Sequence, residues 1–153
     1  MWCCWRTSTA KEENVLPLEA VLKSDTKPYA LQVEIDSDRG KVIDVYDGDT
    51  FTLAFYSKGQ LYRTKVRMLG IDTPELRGKT EQEKEKARVA RDALSDVILN
   101  KVVDLKNMTV EVKWGRLLAD VWFGETHVNT FMLQEGYAVP YGGAYGLTKT
   151  HVW

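Results

Sequence analysis

The chain has 153 residues, of which 44% are hydrophobic and 28% are charged. This length suits one domain with a single buried core, and no stretch approaches the roughly 18 consecutive apolar residues that a membrane-spanning helix needs. The 21 basic and 22 acidic residues leave a net charge of −1. That balance excludes a uniformly basic nucleic-acid coat protein, but it does not exclude a locally basic site.

The charge is unevenly divided along the chain. Residues 1–38 hold four basic and seven acidic residues, whereas the remainder holds 17 basic and 15 acidic residues. We interpret residues 1–38 as an acidic, partly disordered N-terminal extension of a mildly basic body. Within this extension, residues 15–22 are expected to pack onto the body, and residues 29–35 alternate in the manner of a strand.

Both cysteines, Cys3 and Cys4, lie next to each other near the start of the chain, where they cannot cross-link a fold. Arg6 and the charged residues 11–13 interrupt any apolar core of a signal peptide, so we expect an intracellular protein. Lipidation of the two cysteines is the alternative to a plain disordered terminus. No membrane signal lies beside them.

The body begins with three predicted strands, at residues 41–46, 50–56 and 61–71. Each is short and rich in β-branched or aromatic residues, and turn-forming clusters separate them at residues 47–49 and 57–60. These features predict an antiparallel three-stranded meander.

A helix is predicted next, over residues 81–100. Thr80 and Glu83 have the spacing of a capping box. Apolar residues then recur at steps of three and four, which places them on one helical face: Ala87, Ala90, Leu94, Val97 and Ile98.

Two strands and a shorter helix complete the body. The strands are predicted at residues 102–112, with a break near Asn107, and at residues 116–123. The helix spans residues 128–135 and ends at Gly136, a residue suited to a left-handed cap.

This order of elements predicts a mainly β fold of the α+β class. Its architecture would be a five-stranded OB-fold barrel with two or three packed helices, formed by residues 39–142 and followed by a tail at residues 143–153. OB folds often bind nucleic acid or oligosaccharide, but the fold alone establishes no function.

Several catalytic classes lack the residues they need. His127 and His151 are the two histidines, which is too few for a histidine-pair ribonuclease or a histidine-metal nuclease. The body has no cysteine for structural zinc or nucleophilic attack, and it has no P-loop.

Acidic residues and arginines are concentrated at the predicted strand ends, where a closed barrel can bring them together. Oxygen ligands from Asp49, Asp72 and a backbone carbonyl near Thr73 would suit a hard divalent cation. Guanidinium groups suit the charge on a phosphodiester transition state, and a carboxylate beside the metal can activate water. The residues available for these two roles are Arg67, Arg116 and Glu75.

Three motifs in one order resemble the staphylococcal nuclease family. They are VYDGDT at residues 45–50, RMLGIDTPE at residues 67–75 and WGRLLA at residues 114–119. Residues 128–129 and 133–138 also match the C-terminal helix of the family and the segment that follows it. The resemblance covers about residues 39–142.

The resemblance implies an OB barrel that carries out calcium-dependent hydrolysis of DNA and RNA, cutting the bond to the 5′ oxygen and leaving 3′-phosphates. It implies that Asp49, Asp72 and the carbonyl of Thr73 bind calcium. It further implies phosphate contacts from two arginines and water activation by a glutamate: Arg67, Arg116 and Glu75.

Substrate contacts are expected from three further residues. Lys113 and Trp114 stand where the family often has a lysine and a tyrosine that contact a terminal phosphate, although tryptophan has no hydroxyl and could only stack. Tyr141 falls near the nucleotide-stacking tyrosine of the family. We expect a monomer that acts on DNA or RNA, with single strands preferred.

Two other functions remain open at the level of sequence. One is a nuclease-like domain that has lost catalysis and binds nucleic acid or protein. Such domains typically lose acidic or arginine positions that this chain retains. The other is a single-strand-binding OB module, which would have no need for carboxylates facing phosphates.

Overall fold

The computed structural model describes residues 17–28, 37–111 and 113–142. Its two helices are α1 (Glu81–Ile98) and α2 (Val128–Gln134), and two 3₁₀ turns (Leu18–Ala20 and Lys23–Asp25) precede the first strand. The strands are β1 (Lys27–Pro28), β2 (Arg39–Val45), β3 (Thr50–Ser57), β4 (Gln60–Met68), β5 (Ile71–Asp72), β6 (Val102–Glu111), β7 (Arg116–Phe123), β8 (Thr126–His127) and β9 (Val139–Pro140).

Five of these strands close into a barrel. The antiparallel pairs run in the order β4, β3, β2, β6 and β7, and a parallel pairing between β4 and β7 joins the two ends. With two α-helices packed on the barrel, the predicted α+β OB-type architecture is confirmed.

The meander β2–β3–β4 is also confirmed, and its alternation fills the barrel. Phe51, Leu53 and Phe55 on β3 all point inward and are fully buried. The third strand is shorter than predicted, because the chain turns after Met68 through Gly70, which has a φ of +72°. Strand β5 then pairs with β9 instead of continuing β4.

Helix α1 begins at the predicted cap, with one difference. The Thr80 hydroxyl accepts a hydrogen bond from the Glu83 amide at 3.0 Å, but the Glu83 carboxylate accepts from the amide of Lys79 at 2.9 Å and not from that of Thr80. The helix ends two residues earlier than expected, before Asn100 with its φ of +61°. Neither helix in the described ranges has the length and apolar character needed to cross a membrane.

Strand β6 carries the predicted irregularity. Asn107 has a φ of +53°, and the register with β7 shifts between Lys106 and Thr109, which is a β-bulge. At the end of α2, Gly136 has a φ of +75°, as the predicted left-handed cap requires.

Part of the N-terminal extension lies against the barrel. Val21 is fully buried, although Leu22 is 63% exposed. The ammonium of Lys41 on β2 donates to the carbonyls of Glu19 and Val21 at 2.8 and 3.0 Å. The predicted strand at residues 29–35, the two cysteines and the tail at residues 143–153 lie outside the described residues.

Candidate active site

Arg67 connects the two acidic motifs. From the outer face of β4, its Nη1 donates to Oδ1 of Asp49 at 3.0 Å, and its Nη2 donates to Oδ1 of Asp72 at 2.7 Å. The amide of Met68 also donates to the carbonyl of Asp49 at 2.8 Å. Two segments that are 23 residues apart in sequence therefore meet at one guanidinium.

The loop that carries Asp49 needs glycine at its centre. A Cβ on Gly48 would lie 2.8 Å from the Cβ of Ala90 in α1 and 2.9 Å from Cγ2 of Thr73. The Oδ1 of Asp47 accepts the Asp49 amide at 3.2 Å, which fixes the turn from within. Glycine therefore allows the acidic loop to lie directly against the helix and the second acidic motif.

Asn129 in α2 holds the bend that leads to Asp72. Its buried side-chain amide donates to the carbonyl of Leu69 at 2.8 Å, and its oxygen accepts the amide of Val121 at 2.9 Å. The helix, the barrel and the segment before β5 are thus tied together by one side chain.

The two carboxylates are almost fully buried, with exposures of 2% for Asp49 and 1% for Asp72. Burial raises the pKa of Asp49 to about 7, with Asp47 and Asp72 adding to the increase, although Arg67 and the Thr50 hydroxyl act in the opposite direction. Burial acts to lower the pKa of Arg67, but the adjacent carboxylates more than offset this and raise it. One guanidinium therefore bridges two buried acids.

This donor set fits a hard cation. Asp49 and Asp72 offer carboxylate oxygens, the ligand type that calcium prefers. Within the three described ranges, no group of three or more His, Cys, Asp and Glu side chains could hold a metal ion. Any cation here would therefore need further oxygens from water, from substrate or from a backbone carbonyl such as that of the buried Thr73.

A cavity of about 190 Å³ opens beside Arg67 and its two carboxylate partners, Asp49 and Asp72. It is lined by every residue predicted to have a catalytic or metal-binding role: Asp49, Arg67, Asp72, Thr73, Glu75 and Arg116. The barrel therefore brings together residues from the loop before β3, from β4, β5 and β7, and from the segment after β5. We refer to this cavity as the cleft.

Arg116 has a partner that the sequence reasoning missed. Its Nε and Nη2 both lie close to Oε2 of Glu111, at 2.8 and 2.7 Å. The two residues face each other in the β6–β7 register, so the hairpin register would have been the signal.

The three expected substrate contacts are not in the cleft. Lys113 and Trp114 form the exposed tip of the β6–β7 hairpin, with the lysine Nζ 5.0 Å from the centroid of a Trp114 ring. Tyr141 lies close to Arg67, with its ring centroid 5.8 Å from Cζ of the arginine. It lines a second cavity of about 550 Å³ that also reaches Arg67.

Tyr46 and Lys65 are further cleft neighbours that sequence reasoning did not select. Tyr46 lines the cleft and is 49% exposed, and the Nζ of Lys65 lies 5.7 Å from the centroid of its ring. Residues 65 and 67 share the outer face of β4, so the alternation of the strand could have indicated the lysine.

The chain is similar in sequence to known proteins. The family model described as staphylococcal nuclease homologue matches residues 65–151. A thermonuclease of Staphylococcus hyicus is 34% identical over 99 residues, which are 64% of this chain and 56% of that protein. An uncharacterized protein of Bacillus anthracis is 32% identical over 112 residues, which are 69% of this chain and 48% of that protein. The chain spans about half the length of these relatives.

The family match includes five of the six predicted residues in the cleft. Asp49 lies before the matched range, but its contact with Arg67 joins it to the same site. The match covers more than half of the chain, and the closed five-stranded barrel with two helices has the architecture that the family resemblance implied. The chain therefore belongs to the family of staphylococcal nuclease homologues.

Proposed function

We propose that this domain is a calcium-dependent endonuclease that hydrolyses phosphodiester bonds of DNA and RNA and leaves 3′-phosphates. The observation that carries the proposal is the position of Arg67 between the buried carboxylates of Asp49 and Asp72, in one cleft with Arg116 and Glu75. A single-strand-binding module has no use for buried acids beside its phosphate contacts.

Asp49, Asp72 and the carbonyl of Thr73 would hold the cation in this proposal. Calcium bound there would supply a Lewis acid that polarises a phosphoryl oxygen. The carboxylates also fix the guanidinium of Arg67, so its orientation is set before substrate binds.

The two arginines would stabilise the charge that develops on the phosphate. A guanidinium presents several N–H donors in a planar fork, which suits the equatorial oxygens of a pentacoordinate transition state. Arg67 and Arg116 reach the same cleft from neighbouring strands, β4 and β7. Each already donates to a carboxylate, so the phosphate must share or displace that partner.

Glu75 would accept the proton of the attacking water. As the water oxygen bonds to phosphorus, the bond to the 5′ oxygen breaks, and the departing oxygen takes a proton from solvent. Glu75 is exposed and lines the cleft, so it can reach water there. Lys113 and Trp114, at the hairpin tip, would contact the strand beyond the scissile phosphate.

Digestion of single-stranded DNA and of RNA tests the proposal. We expect cleavage with calcium and none with chelator, with 3′-phosphate ends identified by mass spectrometry. Glu75→Gln and Arg67→Ala should each lower kcat by about 100-fold or more. Glu125→Gln removes the same charge from an exposed turn and should have no effect.

The outcomes separate the alternatives. Binding without cleavage at any calcium concentration would show a nuclease-like binding domain and not an enzyme. Cleavage that survives both substitutions would contradict the assigned roles of Glu75 and Arg67. Cleavage that is equally fast in chelator would contradict the calcium requirement.

A further inference from the structure

We propose that Tyr46 and Lys65 form a second nucleotide subsite beside the cleft, where the tyrosine ring stacks on one unpaired base and the lysine binds a phosphate of the same strand. This inference rests on the proposed function for its substrate class, because it assumes that a nucleic-acid strand crosses the cleft. It extends that function by naming which wall of the cleft the strand follows.

Tyr46 presents an exposed ring from a hydrogen-bonded backbone. The residue is 49% exposed and lies directly after β2, at the start of the acidic loop. The amides of Tyr46 and Asp47 both donate to the carbonyl of Thr50, at 2.9 and 3.2 Å, so the backbone is held on both sides of the ring. A tyrosine side chain has only two χ angles, so it loses little conformational entropy when a base stacks on it.

Lys65 places a positive charge next to that ring. Its Nζ lies 5.7 Å from the ring centroid, and the residue is exposed on the outer face of β4. In residues 17–28, 37–111 and 113–142, no carboxylate forms an ion pair with Lys65. By contrast, Arg63 on the same face donates to the carbonyl and hydroxyl of Thr26, which holds the N-terminal segment.

The strand register connects this pair to the arginines. Lys65 lies opposite Arg116 in the parallel β4–β7 pairing and two residues before Arg67, about 7 Å along the same face of the strand. If a phosphate lies between Arg67 and Arg116, the neighbouring phosphate of the same nucleic-acid chain would be within reach of Lys65. Tyr46 lines the cleft on this side and would meet the base.

This arrangement has a consequence for the choice of substrate. Stacking on an aromatic ring requires an unpaired base and tolerates any base, since every base has a π face. The subsite should therefore favour single strands without selecting a sequence. A duplex would gain only the charge of Lys65.

Binding in chelator tests the subsite without relying on cleavage. Fluorescence anisotropy would give the Kd of the full chain for thymidine oligonucleotides of two to eight residues and for a duplex. Tyr46→Ala and Tyr46→Leu should weaken binding of the longer single strands by about fivefold or more, whereas Tyr46→Phe should bind like the wild type. Neither Tyr46→Ala nor Tyr46→Leu should weaken binding of the duplex.

Lys65→Gln should weaken binding of single strands and reduce the slope of log Kd against log salt by about 0.7. Lys106→Gln is the matched control, because Lys106 also lies over an aromatic ring, 4.2 Å from the centroid of Trp122, but does not line the cleft. It should leave both the Kd and the slope unchanged. Thermal melting of each variant confirms that it is folded.

The outcomes of the subsite and of the nuclease proposal can be told apart. Wild-type cleavage of DNA with unchanged Kd values in Tyr46→Leu and Lys65→Gln would overturn the subsite and leave the nuclease. If Tyr46→Leu weakened binding of single strands and of the duplex equally, the stacking role of Tyr46 would be wrong. Selective loss of single-strand binding in a protein that cleaves nothing would support the subsite and reject the nuclease.

Discussion

Arg116 donates both its Nε and its Nη2 to the same carboxylate oxygen of Glu111, at 2.8 and 2.7 Å. The pair is partly exposed, with 23% of the arginine side chain and 29% of the glutamate side chain open to solvent. An incoming phosphate would compete with this carboxylate for the guanidinium, and the glutamate would also repel it. Glu111 is therefore expected to weaken binding of nucleic acid.

Glu111→Gln should lower the Kd for a single-stranded oligonucleotide by about two- to fivefold in chelator, because a neutral amide competes less strongly and repels no phosphate. The effect should shrink as salt increases. Fluorescence anisotropy at several ionic strengths measures the change in Kd and its dependence on salt. Glu125→Gln is the control for the change in net charge. Weaker binding by the Glu111 variant would show that the glutamate instead positions Arg116 for the phosphate.

Lys41 is expected to hold the N-terminal segment on the barrel. The residue is 7% exposed, and its ammonium donates to the carbonyls of Glu19 and Val21. Lys41→Met keeps the length of the side chain but loses both hydrogen bonds, so the free energy of unfolding should fall by about 1–3 kcal/mol. Urea unfolding measures the loss, and Lys79→Met at an exposed position is the control.

Hydrogen exchange locates the effect of that substitution. Protection of the Val21 amide, which donates to the carbonyl of Leu18 at 3.3 Å, should fall in Lys41→Met. Protection in the barrel core at Phe51 should fall only as much as global stability does. Unchanged exchange at Val21 would mean that apolar burial, and not the lysine, holds the segment.

Gly48→Ala should disturb the acidic loop. The new Cβ would approach the Cβ of Ala90 to 2.8 Å and Cγ2 of Thr73 to 2.9 Å, and overpacking of this kind costs about 1–3 kcal/mol. A double-mutant cycle with Ala90→Gly tests the cause, because removing the facing methyl group should recover part of the loss. Strictly additive effects in urea unfolding would contradict the proposed contact.

The pair formed by Arg39 and Asp104 gives a pH dependence with a definite sign. Hydrogen bonding to Arg39 lowers the pKa of Asp104, against a smaller opposing effect of burial. A lowered pKa adds stability above the unfolded-state value near pH 4, and this stability disappears as the pH falls through the folded-state value. Asp104→Asn should therefore be slightly less stable than the wild type at pH 7, and this difference should shrink as the pH falls below about 4. A difference in stability that grows as the pH falls would contradict this prediction.

Local patterns in the sequence were enough to predict the barrel. The content of β-branched and aromatic residues predicted β3, and the turn cluster at residues 57–60 predicted its hairpin with β4. The end of β4 was predicted too late because residues 61–71 are apolar enough to read as one strand. In the structure the chain turns at Gly70, which has a positive φ, and β5 pairs with β9 instead of continuing β4.

The contacts of the site were harder to predict than its residues. Arg67 was selected for a phosphate, but its two carboxylate partners depend on how loops distant in sequence meet. Glu111 and Lys65 were missed because their relation to Arg116 comes from strand register, which no single motif contains. Tyr46 resembles an ordinary residue of a strand end until its exposure is known.

Calcium should stabilise the fold if Asp49 and Asp72 hold it. A ligand that binds only the native state adds RT ln(1 + [L]/Kd), about 2.7 kcal/mol at 100 times Kd. The wild type should therefore melt at a higher temperature in calcium than in chelator, and Asp49→Asn or Asp72→Asn should lose most of this increase. Asp92→Asn, at an exposed position of α1, should retain it. An undiminished increase in both cleft variants would place calcium elsewhere, since its binding would then not depend on these two carboxylates.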